Sequence, residues 1–261
     1  MLTLYEHPLS SYAMKAKIAL MEKGLEFRAI VPEGMMSGST GGAFLDASPR
    51  AEIPTLVDGD FSIFDSTIIL EYLEDKWPNP PLLPALPAGR ARVRMIEDVM
   101  DTLYEPNNWG LGEVLRFKRA SGSLANNLVA HSRTNVSKLQ GWLERQLNGQ
   151  PWFNGANFGW GDVAVAPYLS RSAVSGHPPQ EGSALADWLA RVSKRPSVAK
   201  AVEQMKLVIA NMPDLASMLA QGQINRQYRD HRLEWMIAGG GIEIVKEGIE
   251  KGTIRFSRLP E

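Results

Sequence analysis

Residues 2–20, LTLYEHPLSSYAMKAKIAL, decide how the rest of the chain is read. Leu2 to Tyr5 are apolar or β-favouring and predict a short strand. Pro8, within His7-Pro8-Leu9, breaks it, because proline has no amide hydrogen for a ladder. Met14, Ile18 and Met21 then recur at helical spacing, with Lys15, Lys17 and Glu22 on the other side, which predicts an amphipathic helix. Ser10 and Ser11 therefore stand where a helix begins. The first amides of a helix lack internal partners, and the helix dipole adds about half a positive charge there, so an anion is favoured. An N-cap role is the simpler function for either hydroxyl.

Downstream, Lys23-Gly24 stops the helix and Glu26 to Val31 reads as a second strand. Residues 32–42, PEGMMSGSTGG, lack a Gly-Lys-Ser/Thr ending and read as a flexible surface loop rather than a phosphate loop. A short helical piece is expected around Phe44 and Leu45. Thr55 to Val57 and Phe61 to Phe64 form a hairpin across Asp58-Gly59. Ile53-Pro54 enters its first strand. A cis bond there would turn the backbone groups of Ile53 outward, where they could bind something; an ordinary edge-strand proline is the alternative. Asp65-Ser66 precede a helix with Ile69, Tyr72, Leu73 and Lys76 on one face, ended by Trp77-Pro78. Asp65 suffices there as an N-cap. A carboxylate beside a hydroxyl at a helix N-terminus can also hold a zwitterionic α-amino acid head, with Asp65 on the ammonium and Ser66 on the carboxylate. Strand, helix, strand, loop, strand, strand, helix gives a small α/β sheet of mixed direction.

The proline-rich stretch 79–89, NPPLLPALPAG, reads as a linker between a domain at 1–80 and another at 88–261. Beyond it the strand signal nearly vanishes. Val93, Ile96, Met100 and Leu103 mark a helix that Pro106 should kink or end. Leu124 to Leu147 is long and periodic. Asp162 precedes the apolar run Val163 to Leu169, and helices follow over Leu185–Val192 and Val198–Ile209. This is a helical bundle. The tail 213–261 predicts one helix in DLASMLAQGQ and two more around Gly239-Gly240-Gly241, with Ile242, Val245 and Ile249 on one face. The charged stretch Arg226 to Arg232 reads as a solvated face, or as a cover over the mouth of a site.

Composition narrows the function. The 261 residues carry a formal charge of -1, so neither a nucleic acid nor an acidic membrane is an expected partner. No apolar run approaches 18 residues, the length of a membrane span, and the N-terminus lacks the order of a signal peptide, so a cytoplasmic protein is expected. Cysteine is absent, which excludes disulfides, cysteine zinc sites and a cysteine nucleophile. His7, His131, His177 and His231 have no metal-binding spacing, and no metal is expected.

These motifs, in this order and to about residue 210, resemble the cytosolic glutathione transferase superfamily, of a serine-type, bacterial kind. The resemblance implies a thioredoxin-like α/β domain followed by an α-helical bundle domain, a homodimer, and glutathione as co-substrate. By the same resemblance Ser10 is the activating serine, with Ser11 and Tyr12 as alternates. Ile53-Pro54 matches the cis-proline element that pairs with the cysteinyl part of glutathione, and Asp65-Ser66 the pair that holds its γ-glutamyl head. Residues 158–169, FGWGDVAVAPYL, resemble the capping-box motif of the helical half, normally Ser/Thr-x-x-Asp. Gly159 replaces the hydroxyl residue, which leaves the capping to Asp162 and predicts a weaker helix start. Glu52 stands where many members have lysine, so Arg50 becomes the nearest base for the glycine carboxylate. Tyr104, Asn107, Asn108 and Trp109 are candidates for an electrophile pocket, with core packing as their other role.

The reaction implied is attack by a serine-stabilised glutathione thiolate on a hydrophobic electrophile, by conjugation or by displacement of a halide or β-aryl ether. Without cysteine the chain cannot form the mixed disulfide of cysteine-type members. A non-catalytic binding or interaction module of the same fold, or a glutathione-dependent isomerase, are the alternatives.

Overall fold

The computed structural model describes residues 1–35, 41–224 and 240–251. The first stretch forms strand β1 (Leu2–Tyr5) and helix α1 (Ser11–Glu22), which crosses over to β2 (Phe27–Ile30). A parallel neighbour requires such a crossover. After α2 (Ala43–Ala47), the hairpin β3 (Thr55–Asp58) and β4 (Phe61–Phe64) turns through Gly59, whose φ of 62° suits glycine. The sheet order is β2-β1-β3-β4, with β1–β2 parallel and the other pairs antiparallel. Leu4, Leu56 and Ile63 enter the core from it.

Strand register sets where the loops meet. Ile30, Tyr5, Thr55 and Phe64 stand in one row across the end of the sheet. The chain leaves β1 toward Ser10 at that row, enters β3 from Ile53-Pro54 at that row, and leaves β4 toward Asp65 at that row. Three loops distant in sequence therefore converge at one sheet end.

Helix α3 (Ser66–Lys76) closes this half. The connection after it is anchored: the Glu74 carboxylate accepts from the amides of Leu82 (3.1 Å) and Leu83 (3.0 Å) and pairs with Lys23 at 2.8 Å. The first three residues of helix α4 (Pro87–Val99) lie inside the stretch read as linker. A single π turn, Met100–Tyr104, joins it to α5 (Glu105–Leu115). The physical reason is Pro106, which has no hydrogen to give to the carbonyl four residues back, so the ladder changes step before it. Then come α6 (Gly122–Leu147), α7 (Trp160–Val174), α8 (Ala184–Val192), α9 (Pro196–Ala210), α10 (Leu215–Ala220) and α11 (Ile242–Glu250). Ile242 and Ile249 are exposed on α11. The stretch Arg226–Arg232 and the first of the two glycine-flanking helices lie outside the described residues.

Helix α1 departs most from its sequence reading. Its second face, expected to meet solvent, is buried too, because α3 packs on one side and α7 and α9 on the other. Lys15 is fully buried, with Nζ 2.6 Å from Glu97 Oε1 and 2.7 Å from Asp101 Oδ2. Glu97 also accepts from Thr67 Oγ1 at 2.9 Å and from Trp160 Nε1, and Asp101 accepts from the Tyr168 hydroxyl. Burial alone would lower the Lys15 ammonium; the Asp101 and Glu97 carboxylates more than restore it, so its pKa ends above the ordinary value. Lys17 is likewise buried, bonded to Glu6 and to Gln204 at 2.9 Å. The two halves are thus joined by a polar network as well as by a continuous apolar core.

The start of α7 also differs from expectation. Gly159 is not a weak spot left by a lost hydroxyl. A Cβ there would lie 1.9 Å from Asn154 Nδ2 and 2.4 Å from the Leu82 carbonyl oxygen. Asn154 supplies the missing polar group: its Oδ1 accepts from Gly161 N at 2.9 Å and its Nδ2 donates to Leu82 O at 2.6 Å. Asp162 completes the cap, accepting from the amides of Gly159 (3.0 Å) and Phe153 (2.9 Å) and from Trp188 Nε1 (2.8 Å). Burial pushes its carboxyl up to about 6, against these hydrogen bonds, which favour the charged form.

Candidate active site

At the converging sheet end, Ser10 caps α1. It has extended backbone angles, and its Oγ accepts from Ala13 N at 3.2 Å. The hydroxyl hydrogen is not donated to any described residue, and the amides of Ser11 and Tyr12 are likewise unpaired among them. This is the donor set that an anion at a helix N-terminus needs. Ser11 itself is buried in the first turn. The Tyr12 hydroxyl points to the other half, donating to Asp101 O at 2.8 Å, and burial raises its pKa well above the ordinary value. Of the three hydroxyls, Ser10 alone lines the cleft between the two halves.

The Ile53-Pro54 bond is cis. Neither the amide nor the carbonyl of Ile53 has a hydrogen-bond partner among the described residues. The loop is held from behind: buried Ser48 and Thr55 donate to the Glu52 carbonyl, each at 3.0 Å. The Glu52 side chain pairs with Arg50 at 2.8 Å, so the acid where lysine was expected has its charge answered two residues away. Arg50 also lies over the Phe64 ring.

Asp65 takes a left-handed φ of 76° and caps α3, its Oδ1 accepting from the amides of Thr67 (2.9 Å) and Ile68 (3.2 Å). Its Oδ2, the Ser66 hydroxyl and the Ser66 amide have no partner among the described residues. A carboxylate oxygen, a hydroxyl and an amide thus stand together uncommitted at one helix start, as a zwitterionic head requires.

The cleft beside these loops has a volume of about 690 Å³. His7, Leu9, Ser10, Ala51 and Ile53 form one wall; Glu105, Trp109, Arg116, Phe117, Arg171 and residues of the 208–218 segment form the other. Trp109 is therefore the residue of the expected electrophile set that reaches it. Tyr104, Asn107 and Asn108 do not. Tyr104 is fully buried and bonded to Gln140, Asn107 donates to Leu103 O at 2.8 Å, and Asn108 donates to Tyr168 O at 3.0 Å. Their amides and ring stitch helices together, which is the core-packing role left open for them.

Sequence reasoning missed His7, Glu105 and Arg171. His7 accepts from Leu9 N at 3.2 Å through Nδ1, and burial lowers its pKa, so it is neutral at neutral pH. Arg171 reaches across to donate to the Leu9 carbonyl. Glu105 carries the one available signal, an acid immediately before a proline inside a helical run. Among the described residues, no group of acids and histidines has the geometry of a metal site.

The profile described as "Glutathione S-transferase, N-terminal domain" matches residues 4–81, and that described as "Glutathione S-transferase, C-terminal domain" matches residues 126–191, together more than half of the chain. The chain belongs to the cytosolic glutathione transferase superfamily. Among solved glutathione transferase structures, one from Rhodospirillum rubrum F11 superposes with a TM-score of 0.68 at 30% identity, over 77% of this chain and 91% of that one. A second, from Methylobacterium radiotolerans in complex with glutathione sulfonate, superposes with a TM-score of 0.63 at 27% identity, over 77% and 94%. A stringent starvation protein A homolog of Pasteurella multocida is 27% identical over 75% of this chain and 87% of its own length. Among the curated relatives the matched share runs from 38% of one protein's length to 93% of another's. No described helix is long and apolar enough to cross a membrane.

Proposed function

We propose that this glutathione transferase activates glutathione through Ser10 and directs the thiolate at a hydrophobic electrophile held in the cleft. The observation that carries the reading is the set of uncommitted polar groups at one sheet end: the Ser10 hydroxyl, the Ile53 backbone, Asp65 Oδ2 and the Ser66 hydroxyl and amide. Asp65 takes the ammonium of the γ-glutamyl head and Ser66 its carboxylate. The Ile53 amide and carbonyl pair with the cysteinyl backbone. Ser10 then donates to sulfur. A free thiol with pKa near 8.5 is only a few per cent thiolate at pH 7. A hydrogen bond to a charged acceptor contributes about 1.5–3 kcal/mol, and the start of α1 adds its own field. That is enough to bring the thiol near neutrality. Arg50, already paired with Glu52, is the base assigned to the glycine carboxylate. Trp109 and Phe117 give the electrophile an apolar wall.

The complex with glutathione sulfonate formed by the Methylobacterium relative supports the ligand. A homodimer is supported by three exposed apolar side chains, Phe61 and Phe64 of β4 and Ile68 of α3, and is tested by light scattering on the purified protein. The test of the function is calorimetric. Glutathione binding near pH 7 should be saturable and lost in Asp65→Ala. Ser10→Ala should keep binding and lose about 10- to 100-fold in turnover of an activated aryl halide, the equivalent of one charge-assisted hydrogen bond. Undiminished turnover in Ser10→Ala refutes the role given to that serine. The likeness to a protein named for stringent starvation, over 75% of this chain and 87% of that protein's length, favours a second reading, a module that binds glutathione or a protein partner without turnover. Binding with no conversion of any electrophile would decide for it.

A further inference from the structure

Glu105 lines the same cleft as Ser10, on the wall contributed by the helical half. It directly follows the π turn, and its amide donates to Met100 O, five residues back. Such turns re-aim the side chains around them and recur at functional sites. The Glu105 carboxylate accepts no hydrogen bond and forms no ion pair among the described residues. The other acid of the cleft lining, Glu113, pairs with Arg119 at 3.2 Å. A largely buried carboxylate without a partner is costly, and a purely structural acid would be paired.

The groups around Glu105 come from three elements. Arg171 and Tyr168 stand on α7, Asp101 on the π turn and Tyr12 on α1, while His7 and Arg116 share the cleft lining. Burial pushes the Glu105 carboxyl up to about 7, with Arg171 drawing it down and Asp101 pushing it further up. Near neutral pH a large share of it therefore carries a proton that it can give.

We propose that Glu105 is a general acid that protonates the oxygen of the electrophile as glutathione attacks, so that the cleft favours epoxides and enones over aryl halides. The inference rests on the glutathione-transfer reading of the site. With an epoxide, a sulfur–carbon bond forms, the carbon–oxygen bond breaks, and its electron pair stays on oxygen. The Glu105 proton goes to that oxygen. The carboxylate left behind takes a proton from water, which has received the one lost by the thiol. With an enone the pair moves onto the carbonyl oxygen as an enolate, which takes the same proton. An aryl halide expels halide with its electron pair and needs no proton, so Glu105 gives it no advantage.

The experiment compares kcat/KM for an aryl epoxide and an activated aryl chloride in the native protein, Glu105→Gln and Glu105→Asp. General acid catalysis contributes about 10²- to 10⁴-fold. The epoxide-to-chloride ratio should fall about 100-fold in Glu105→Gln and recover in part in Glu105→Asp. In the native protein the ratio should fall as pH rises through about 7, and in Glu105→Gln it should be flat. Independently of turnover, carboxyl-labelled glutamate followed by NMR should show one signal titrating near pH 7 that Glu105→Gln lacks. A ratio within about threefold of native in Glu105→Gln, or no such signal, overturns the proposal. Failure of the native protein to bind glutathione or convert either substrate overturns the transfer reading, and this proposal with it.

Discussion

Replacing Lys15 with methionine removes the only cation within ion-pair reach of Glu97 and Asp101 among the described residues. Lys15 is fully buried and Glu97 nearly so, with side-chain exposures of 0% and 2%. Breaking a buried pair by deleting one partner costs about 3–5 kcal/mol, because the other charge is left uncompensated. Two carboxylates are left here, but hydrogen bonds from Thr67, Trp160 and Tyr168 remain and hold the loss within that range. For a chain of this size each kcal/mol shifts the thermal midpoint by about 2–4 °C, so a fall of about 6–20 °C is expected. The midpoint is read from tryptophan fluorescence, since Trp160 sits in the network. The pKa of Lys15 is raised on folding, so its contribution is complete below the ordinary lysine value and fades only as strongly alkaline pH passes through the folded value. At pH 7 the whole loss should therefore be visible. A fall of under about 1 kcal/mol at pH 7 would refute the reasoning.

Glu105→Gln should stabilise the protein at pH 8, by up to about 3 kcal/mol. The native carboxyl titrates near 7 when folded and lower when unfolded, so folding at pH 8 carries a penalty that is absent below the unfolded value. Denaturation at pH 8 and pH 4 checks this, and an equal effect at both sinks it. Gly159→Ala should destabilise by about 3 kcal/mol or more, through the clash with Asn154 and the Leu82 carbonyl. Its backbone is extended, with φ of -173°, so a methyl group adds no dihedral strain and the whole loss is packing. Adding Asn154→Ala should not restore the midpoint, because the backbone oxygen stays in the way.

The α/β half was legible because its signals are local. Proline, Asp-Gly and an acid before a helix each punctuate the chain, and the strand order depends on where they fall. The residues proposed to face glutathione share this quality, since Ser10, Pro54 and Asp65 each stand immediately before an element. Packing was harder to read. Lys15 and Lys17 look like a solvent face in periodicity, and only the arrival of α7 and α9 from more than 140 residues away buries them. Tyr104, Asn107 and Asn108 have the chemistry of a binding wall, but the direction of each side chain depends on the π turn, which no propensity scale registers. Gly159 was misread for a similar reason. Its lack of a side chain looked like a lost hydroxyl, whereas Asn154, five residues earlier, had taken both the space and the hydrogen bonds.

Helix α1 bears on how the molecule can move. Its tip, which carries Ser10, is tied to the π turn through the Tyr12 hydroxyl, its middle to α4 and the π turn through Lys15, and its last turn to the start of α9 through a pair between Glu22 and Arg195 at 2.5 Å. A helix clasped at three heights by the opposite half cannot serve as one leaf of a hinge. Opening the cleft by swinging the halves apart would break all three clasps together. On the proposed function, substrates come and go by local yielding at the rim, around Met35 and the 208–218 segment, while Ser10 stays fixed in place. A tether that spans the two halves should therefore leave turnover intact, whereas one that pins the rim should slow it.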